Sequence, residues 1–291
     1  MVSKLDFTSR LATRKDKEKV AMLCRRAMGE DDYVIDVLDE TIRAGGLFLA
    51  LDDSRVIGIA NFQKIADGSA WLSMARTDPE YRGKRVAGFL QNVIASHARE
   101  LGLKSLRFLV NSSNTPSLRS ANRGGFRPIT ETAHVSYSLK EGKYRFKDDA
   151  VKVKVLSDSE ASSIVSDSNY LDALDGYFAR GWHFEKASAK ELRDASEKGK
   201  VVASAELKNV FLFGFAEDWD PDKENHATFF LLKGTFGKTL EMVKEYAASL
   251  NFGSVGAFLP YNRYLIRNAL GEHSFKVDPW ADHGIVFERK I

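Results

Sequence analysis

The chain has 291 residues, about twice the size of a usual domain, so one large or two medium domains are expected. Apolar residues make up 44% of the sequence and charged residues 29%, which excludes disordered and collagen-like proteins. The net charge of +3, from 43 basic and 40 acidic residues, is too small for the dense basic surface of a nucleic-acid-binding protein, although it favours a small polyanion.

The cysteine and histidine residues indicate which cellular compartment the protein occupies and whether it has a metal site. The single cysteine, Cys24, excludes an internal disulfide framework and fits a reducing compartment. The N-terminal residues lack the apolar core of a signal peptide, and no apolar run is long enough to cross a bilayer. The scattered histidines lack metal-binding spacing. We therefore expect a cytoplasmic protein with no metal and no membrane partner. The expected oligomeric state is a monomer or a homodimer.

In chain order, the first half alternates short apolar runs with amphipathic segments. The periodicity predicts a helix over 15–28 that begins near Asp16, and a second helix over 31–46 that is ended by Gly45 and Gly46. The apolar runs 47–51 and 55–62 flank a short polar turn and predict a β-hairpin. A buried strand, a long amphipathic helix, a strand, a short helix and a closing strand are predicted over 71–77, 86–102, 103–110, 114–125 and 131–139.

The second half repeats the pattern of the first at low sequence identity. A constant offset of 149 residues places Ala98 on Ala247 and Phe126 on Phe275. We therefore expect two tandem domains, 1–147 and 148–291, with a charged junction around Asp148. Between strand and helix the first copy has the full turn TDPEYRGKRVAG, whereas the second has only KGTFGK. When Met74 is aligned with Leu231, the second copy is about eight residues shorter here. Selective loss of the turn from one copy suggests that the retained turn is used.

The retained turn has the composition of an anion site. Small residues at the start of a helix leave backbone N–H groups and the positive end of the helix dipole open to a ligand. A phosphate or pyrophosphate fits such a turn, and a solvated basic turn is the structural alternative. Neither the GxxxxGK[ST] motif nor a GxGxxG motif after a strand is present. The small residues are Pro79, Gly83, Ala87 and Gly88, and the basic residues are Arg82, Lys84 and Arg85.

Two segments carry a family resemblance. The segment DPEYRGKRVAGFL, residues 78–90, resembles the acetyl-CoA signature Q/R-x-x-G-x-G/A of the GNAT superfamily of N-acetyltransferases. Arg82 matches its first position and Ala87 its last, and Arg85 stands in place of the middle glycine. The segment NSSNTPSLRSANRGGFRPI is similar to the family's asparagine-led helix, with Asn114 as the asparagine and Phe126 in the terminal Gly-Phe pair.

The resemblance implies both the fold and the reaction. The fold is a mixed α/β (α+β) sheet in two tandem GNAT-like acyl-CoA N-acyltransferase domains, the second of them degenerate. The reaction is direct transfer of an acetyl group from acetyl-CoA to a primary amine in a ternary complex. The acceptor is left open among a peptide N-terminus, a lysine side chain, a polyamine, an amino sugar and an antibiotic. The implied cofactor-binding residues are Met74, Arg76, Thr77, Arg82, Gly83, Lys84, Arg85, Val86, Ala87, Gly88 and Asn114.

The catalytic acid and base are not defined by the sequence. The tyrosine that often serves as general acid in the family falls on Ala121, so that acid is missing, and a non-catalytic module that binds acetyl-CoA or a partner is the alternative function. Cys24 is interpreted as a small buried helix residue, with an acyl-carrying nucleophile as the alternative. The remaining candidates could instead be solvated or structural; they are Glu30, Asp31, Asp32 and His134 for the base and Tyr137 for an acid.

Overall fold

The computed structural model describes residues 7–141, 151–215 and 226–291. Contacts divide the chain into two compact units. The first unit comprises 1–108, 115–127 and 287–291, and the second comprises 109–114 and 128–286. The expected junction around Asp148 lies outside the described residues, so the division at 147 stays a prediction. Within the described ranges, no helix combines the length and the apolar character needed to cross a membrane.

The first unit is a mixed sheet with helices packed on it, as the α/β prediction states. Neighbouring strands from β1 to β4 run antiparallel, and β4 and β5 run parallel. The last three residues of β5 belong to the second unit. The elements are β1 Thr8–Leu11, α1 Lys17–Met28, α2 Leu38–Ala44, β2 Leu47–Asp52, β3 Arg55–Lys64, β4 Ala70–Thr77, α3 Val86–Glu100, β5 Ser105–Asn111 and α4 Thr115–Arg123.

The two predicted N-terminal helices are both present, and one is shorter than predicted. Helix α1 follows Asp16, whose carboxylate accepts bonds from Arg10 at 2.7 Å and from the Thr13 N–H at 2.8 Å. Helix α2 begins only at Leu38, because the Asp32 carboxylate accepts the Val34 N–H at 3.2 Å and forms a turn in the preceding segment. Such local side-chain bonds compete with helix formation.

Helix α3 packs closely on the sheet through one glycine. Its residues Val86 and Leu90 are each only 1% exposed. A Cβ atom built on Gly58 of β3 would lie 2.5 Å from Cγ1 of Val86. The start of α3 can therefore approach β3 only because residue 58 has no side chain.

The last residues of the chain complete the first unit. Glu288 is buried and accepts bonds from Ser105 Oγ at 3.0 Å and from Arg107 Nε at 2.9 Å. The ring of Phe287 stacks on that of Phe108, with centroids 5.9 Å apart. Residues 183 and 181 positions apart in the sequence thus contact each other in one unit.

The second unit is also a mixed sheet. Its strands lie in the order β6-β13-β12-β11-β10-β7, with β12 and β13 parallel and the other neighbours antiparallel. Strand β14 pairs with β6, and β8 and β9 form a separate hairpin. The elements are β6 Arg127–Ser138, β7 Lys152–Val153, α5 Asp158–Ser166, α6 Asn169–Asp172, β8 Tyr177–Arg180, β9 His183–Lys186, α7 Ala189–Glu197, β10 Val201–Ala203, β11 Val210–Phe215, β12 His226–Lys233, α8 Phe236–Ser249, β13 Ser254–Pro260, α9 Arg263–Gly271, β14 Lys276–Val277 and β15 Gly284–Lys290, the last of which ends in the first unit.

The second unit has a core of its own around β11, β12 and α8. Phe211, Leu240 and Val255 are fully buried in it. Strand β13 begins at Ser254, which lies 149 positions after the first residue of β5, Ser105. The order strand, helix, strand, helix is therefore the same in β4-α3-β5-α4 and in β12-α8-β13-α9. The interpretation of the second half as a degenerate copy stays a prediction.

Candidate functional site

Strand β4 carries a bulge near its carboxyl end. Its pairing with β3 shifts so that Met74 and Ala75 both lie opposite Ala60. Met74 has a φ of 54°, in the left-handed region that residues other than glycine rarely adopt. A bulge of this kind redirects backbone groups and is frequent next to functional sites.

The parallel pairing between β4 and β5 ends before this bulge. Within the described residues the ladder joins Ala70 to Leu106 and Trp71 to Arg107 and goes no further. Strand β4 continues to Thr77, so its later backbone groups on this edge are not paired with β5. The bulged part of β4 can therefore offer a backbone N–H to a ligand.

The turn between β4 and α3 is tightly wound. Residues Pro79–Tyr81 form a single 3₁₀ turn, and Gly83 and Arg85 have positive φ values of 80° and 65°. Helix α3 begins directly afterwards at Val86. Turns with left-handed residues can form concave anion sites from their backbone N–H groups.

The first turn of α3 has free donors. Within the described part of the chain, the N–H groups of Val86, Ala87 and Gly88 have no acceptor, whereas that of Phe89 bonds to the Arg85 carbonyl at 3.0 Å. A Cβ atom built on Gly88 would have no atom within 4 Å outside the helix's own backbone, so the space beside its Cα is open. These amides and the helix dipole form a site suited to an anion.

The basic residues of the turn are held in different ways. Arg82 donates from a terminal nitrogen to the Ala27 carbonyl at 2.9 Å and so ties the turn to the end of α1. The Lys84 ammonium lies 4.4 Å from the centre of the Tyr81 ring, whose hydroxyl donates to Asp52 at 2.5 Å. Both side chains thus have a contact within the first unit.

A buried carboxylate, which the sequence analysis missed, organises the turn. The side chain of Asp78 is only 1% exposed and accepts bonds from Arg26 at 2.9 and 3.1 Å, Arg55 at 3.0 Å and the Glu80 N–H at 3.1 Å. Burial opposes its ionised form, but these donors outweigh that effect and lower the pKa of Asp78. The Asp-Pro pair, which is typical of turn starts, was the signal available in the sequence.

A second buried ion pair lies between β4 and the segment that precedes α2. The Arg76 guanidinium binds both oxygens of Asp32 at 2.8 and 2.7 Å, and the two side chains are 12% and 1% exposed. The Tyr33 ring lies 5.5 Å from the centre of this guanidinium. The geometry is the bidentate fork that arginine and a carboxylate favour.

The Asp32–Arg76 pair affects the pKa values of the groups around it. Burial opposes ionisation of Asp32, but the bonds from Arg76 outweigh it and hold the pKa of that carboxyl below its usual range. Burial and the neighbouring Asp32 raise the pKa of the Cys24 thiol to about 12. Cys24 is therefore a protonated core residue, in agreement with the structural interpretation of the sequence.

The other carboxylates proposed as bases lie on the surface. Glu30 is 81% exposed in its side chain and pairs with Arg25 at 3.0 Å. Asp31 is exposed as well. The three acids of the predicted cluster thus differ, because Asp32 is held by Arg76 while its two neighbours face solvent.

The two candidates on β6 lie in the second unit. His134 is 4% exposed, and its Nδ1 contacts Asp278. Its ring is surrounded by aromatic neighbours, including Trp182 at 4.6 Å. Tyr137 packs against Phe275 at 5.3 Å. Both residues therefore have structural partners in the second unit.

The asparagine-led helix has the predicted form. Asn114 lies just before α4 and its N–H donates to the Asn111 carbonyl at 2.9 Å. Ala121, in place of the family's tyrosine, is fully buried, so a larger side chain would have to displace core atoms. No cluster of three or more metal-ligating side chains occurs among the described residues.

Comparisons with known proteins find a family model that matches the N-terminal part of the chain. Residues 17–126 match the model described as the Acetyltransferase (GNAT) family. No curated protein matches the sequence. The family resemblance of the turn is thereby confirmed for this segment.

Solved structures share the fold over the full length. A candidate acetyltransferase from Thermoplasma acidophilum aligns with a TM-score of 0.60 and 16% identity, covering 98% of this chain and 100% of its own. A GCN5-related N-acetyltransferase from Sphaerobacter thermophilus aligns with a TM-score of 0.60 and 11% identity, covering 98% and 95%. A glucosamine N-acetyltransferase region of a fungal GH3 β-N-acetylglucosaminidase gives a TM-score of 0.61 and 11% identity, covering 99% and 38%.

Proposed function

We propose that the protein transfers an acetyl group from acetyl-CoA to a primary amine, directly and in a ternary complex, because residues 17–126 match the model of the Acetyltransferase (GNAT) family. The observation that carries this proposal is the set of free N–H groups at the start of α3, where Gly88 has open space beside it, in the helix that follows the bulged strand β4. A pyrophosphate is the part of acetyl-CoA that such amides suit.

The remaining parts of acetyl-CoA are assigned to the cofactor-binding residues predicted from the sequence. The turn from Arg82 to Gly88 would bind the pyrophosphate, and Thr77 and Asn114 would contact the pantetheine arm. A backbone N–H between Met74 and Arg76 would polarise the thioester carbonyl, since a donor aimed at a developing oxyanion lowers the barrier. The attacking amine must be neutral, and the departing thiolate must gain a proton.

Few groups of the first unit are candidates for the general acid and the general base of this reaction. Asp32 has both oxygens bound by Arg76, so it is poorly placed to accept a proton from the amine. Glu30 and Asp31 are exposed and remain candidates for the base. Since position 121 is a buried alanine, we propose that water protonates the thiolate.

The cofactor site can be tested with one added charge. We expect Gly88→Asp to weaken acetyl-CoA binding at least tenfold in calorimetry, or about 1.4 kcal/mol, because the new carboxylate would repel the pyrophosphate. The variant should fold, since the position is open and an acidic residue suits the first turn of a helix. Gly271→Asp, with the same change at another open helical glycine, is the control. Equal affinities of the two variants, or no binding by the wild type, would refute the site.

A non-catalytic acetyl-CoA-binding module is the second candidate function. It is favoured by the buried Ala121 and by the engagement of Asp32 with Arg76, which together remove two groups that could move protons. The two functions differ in thiol release. With a panel of primary amines, an enzyme produces free CoA thiol in an amine-dependent way, whereas a binding module produces none despite measurable acetyl-CoA affinity.

A further inference from the structure

One basic side chain of the turn before α3 has no partner. Arg82 donates to a backbone carbonyl of α1 at 2.9 Å. The Lys84 ammonium lies 4.4 Å from the centre of the Tyr81 ring. Arg85 is exposed, and its side chain makes no hydrogen bond, ion pair or ring contact with any residue that the structure describes. Of the three cations of the turn, Arg85 can therefore meet a ligand without giving up a contact of the fold.

The backbone at position 85 gives no reason for an arginine. Arg85 has a φ of 65° and a ψ of 21°, in the left-handed region that glycine and asparagine adopt more readily. Its side chain does not cap α3 either. The family signature has a glycine at this position, so the conformation of the turn needs no side chain there. An arginine at this position contributes through its charge.

Acetyl-CoA carries two kinds of phosphate, and they need different partners. The pyrophosphate is the group proposed above for the free N–H groups of Val86, Ala87 and Gly88, and neutral amides at a helix start suit it. The 3′-phosphate on the ribose is a monoester, which carries a charge of about −1.5 to −2 at pH 7. A guanidinium binds such a group through paired, charge-assisted hydrogen bonds. The unpartnered cation therefore suits the phosphate that the amides leave free.

We propose that the Arg85 guanidinium binds the 3′-phosphate of CoA and makes the site selective for CoA over 3′-dephospho-CoA. This inference rests on the proposed function, because it requires the cofactor to lie on the turn before α3. A donor that lacks the 3′-phosphate binds through the amides alone. Arg85 thus determines which donor is used and takes no part in the transfer step.

The experiment is calorimetry of the full-length protein with CoA and, separately, with 3′-dephospho-CoA. We expect the wild type to bind CoA at least tenfold more tightly, because hydrogen bonds between charged groups are among the strong ones. Arg85→Asn removes the charge and tolerates the left-handed backbone. It should weaken the binding of CoA alone and bring the two affinities within threefold of each other. Arg85→Lys keeps the charge without the planar fork and should restore part of the preference.

The control is Arg43→Asn, which removes an exposed arginine of the same unit at the end of α2. This variant should keep the wild-type ratio of the two affinities. An equal fall of the ratio in Arg43→Asn and Arg85→Asn would overturn the proposal, since it would indicate general charge screening.

Three further outcomes would overturn the proposal. These are equal affinity of the wild type for the two ligands, an unchanged ratio in Arg85→Asn, and an equal loss of both ligands in that variant, which would place the guanidinium on the pyrophosphate. If Arg85→Asn does not fold, Arg85→Gly serves the same test, because glycine adopts the required φ. A wild type that binds neither ligand would refute the proposed function itself, so the two failures are distinguishable.

Discussion

Replacing Asp32 by asparagine tests whether this residue is structural. The variant keeps the shape of the side chain and removes the charge that pairs with Arg76 through bonds of 2.8 and 2.7 Å. Breaking a buried ion pair from one side typically costs about 3 to 5 kcal/mol. Since the Arg76 side chain is 12% exposed and can recruit some water, we expect the lower end, about 3 kcal/mol.

A loss of this size is measurable by urea and thermal unfolding. It corresponds to a fall in Tm of about 6 to 12 °C for a unit of this size. Asp31→Asn is the matched control, because the neighbouring carboxylate is exposed, and we expect its stability to change by less than about 0.5 kcal/mol. Equal stability of the two variants would refute the view that the Asp32–Arg76 pair supports the fold.

The pH dependence gives a second readout of the same pair. The folded-state pKa of Asp32 is lowered, so its ionisation stabilises the protein above the ordinary carboxyl pKa of about 4. This contribution is lost as the pH falls through the lowered pKa. The stability difference between wild type and Asp32→Asn should therefore be full at neutral pH and shrink in acid. A difference that stays constant from pH 7 down to about pH 2 would contradict the argument.

Three further changes test other contacts. Asp78→Asn should lower the free energy of unfolding by about 2 kcal/mol, a moderate loss because the arginine partners of Asp78 are partly exposed. The exposed Glu80 is the control, and Glu80→Gln should change the free energy of unfolding by less than about 0.5 kcal/mol in the same urea titration. Gly58→Ala should cost about 1 to 3 kcal/mol through overpacking, while Gly88→Ala, in open space, should be neutral or stabilising, and similar melting curves would refute the contrast. Cys24 should resist alkylation near pH 8 in the folded protein and react fully in urea; rapid native labelling would contradict its burial and its pKa of about 12.

The sequence was sufficient to predict elements that follow from a local pattern. The long helix α3 and the hairpin of β2 and β3 appear close to their predicted bounds, because their periodicity is regular and their ends carry turn residues. The helix predicted over 31–46 was too long. Its first part is instead a turn around Asp32, and that conformation depends on Arg76, which is 44 positions away.

Features built from distant residues could not be predicted from local pattern. Asp78 is joined to Arg26 and Arg55, which are 52 and 23 positions away. The bulge at Met74 has no local signal, because methionine does not favour a positive φ. Tertiary contacts determine both features.

The location of residues 287–291 in the first unit affects the order in which the protein can fold during synthesis. Arg107 leaves the ribosome long before Glu288, its buried partner, has been translated. Until then the first unit lacks its last segment, and the edge of β5 that receives it remains exposed, as in other chains with unpaired strands. Nascent chains paused within the second unit should therefore be sensitive to protease and bind chaperones, although most of the residues of the first unit are already present.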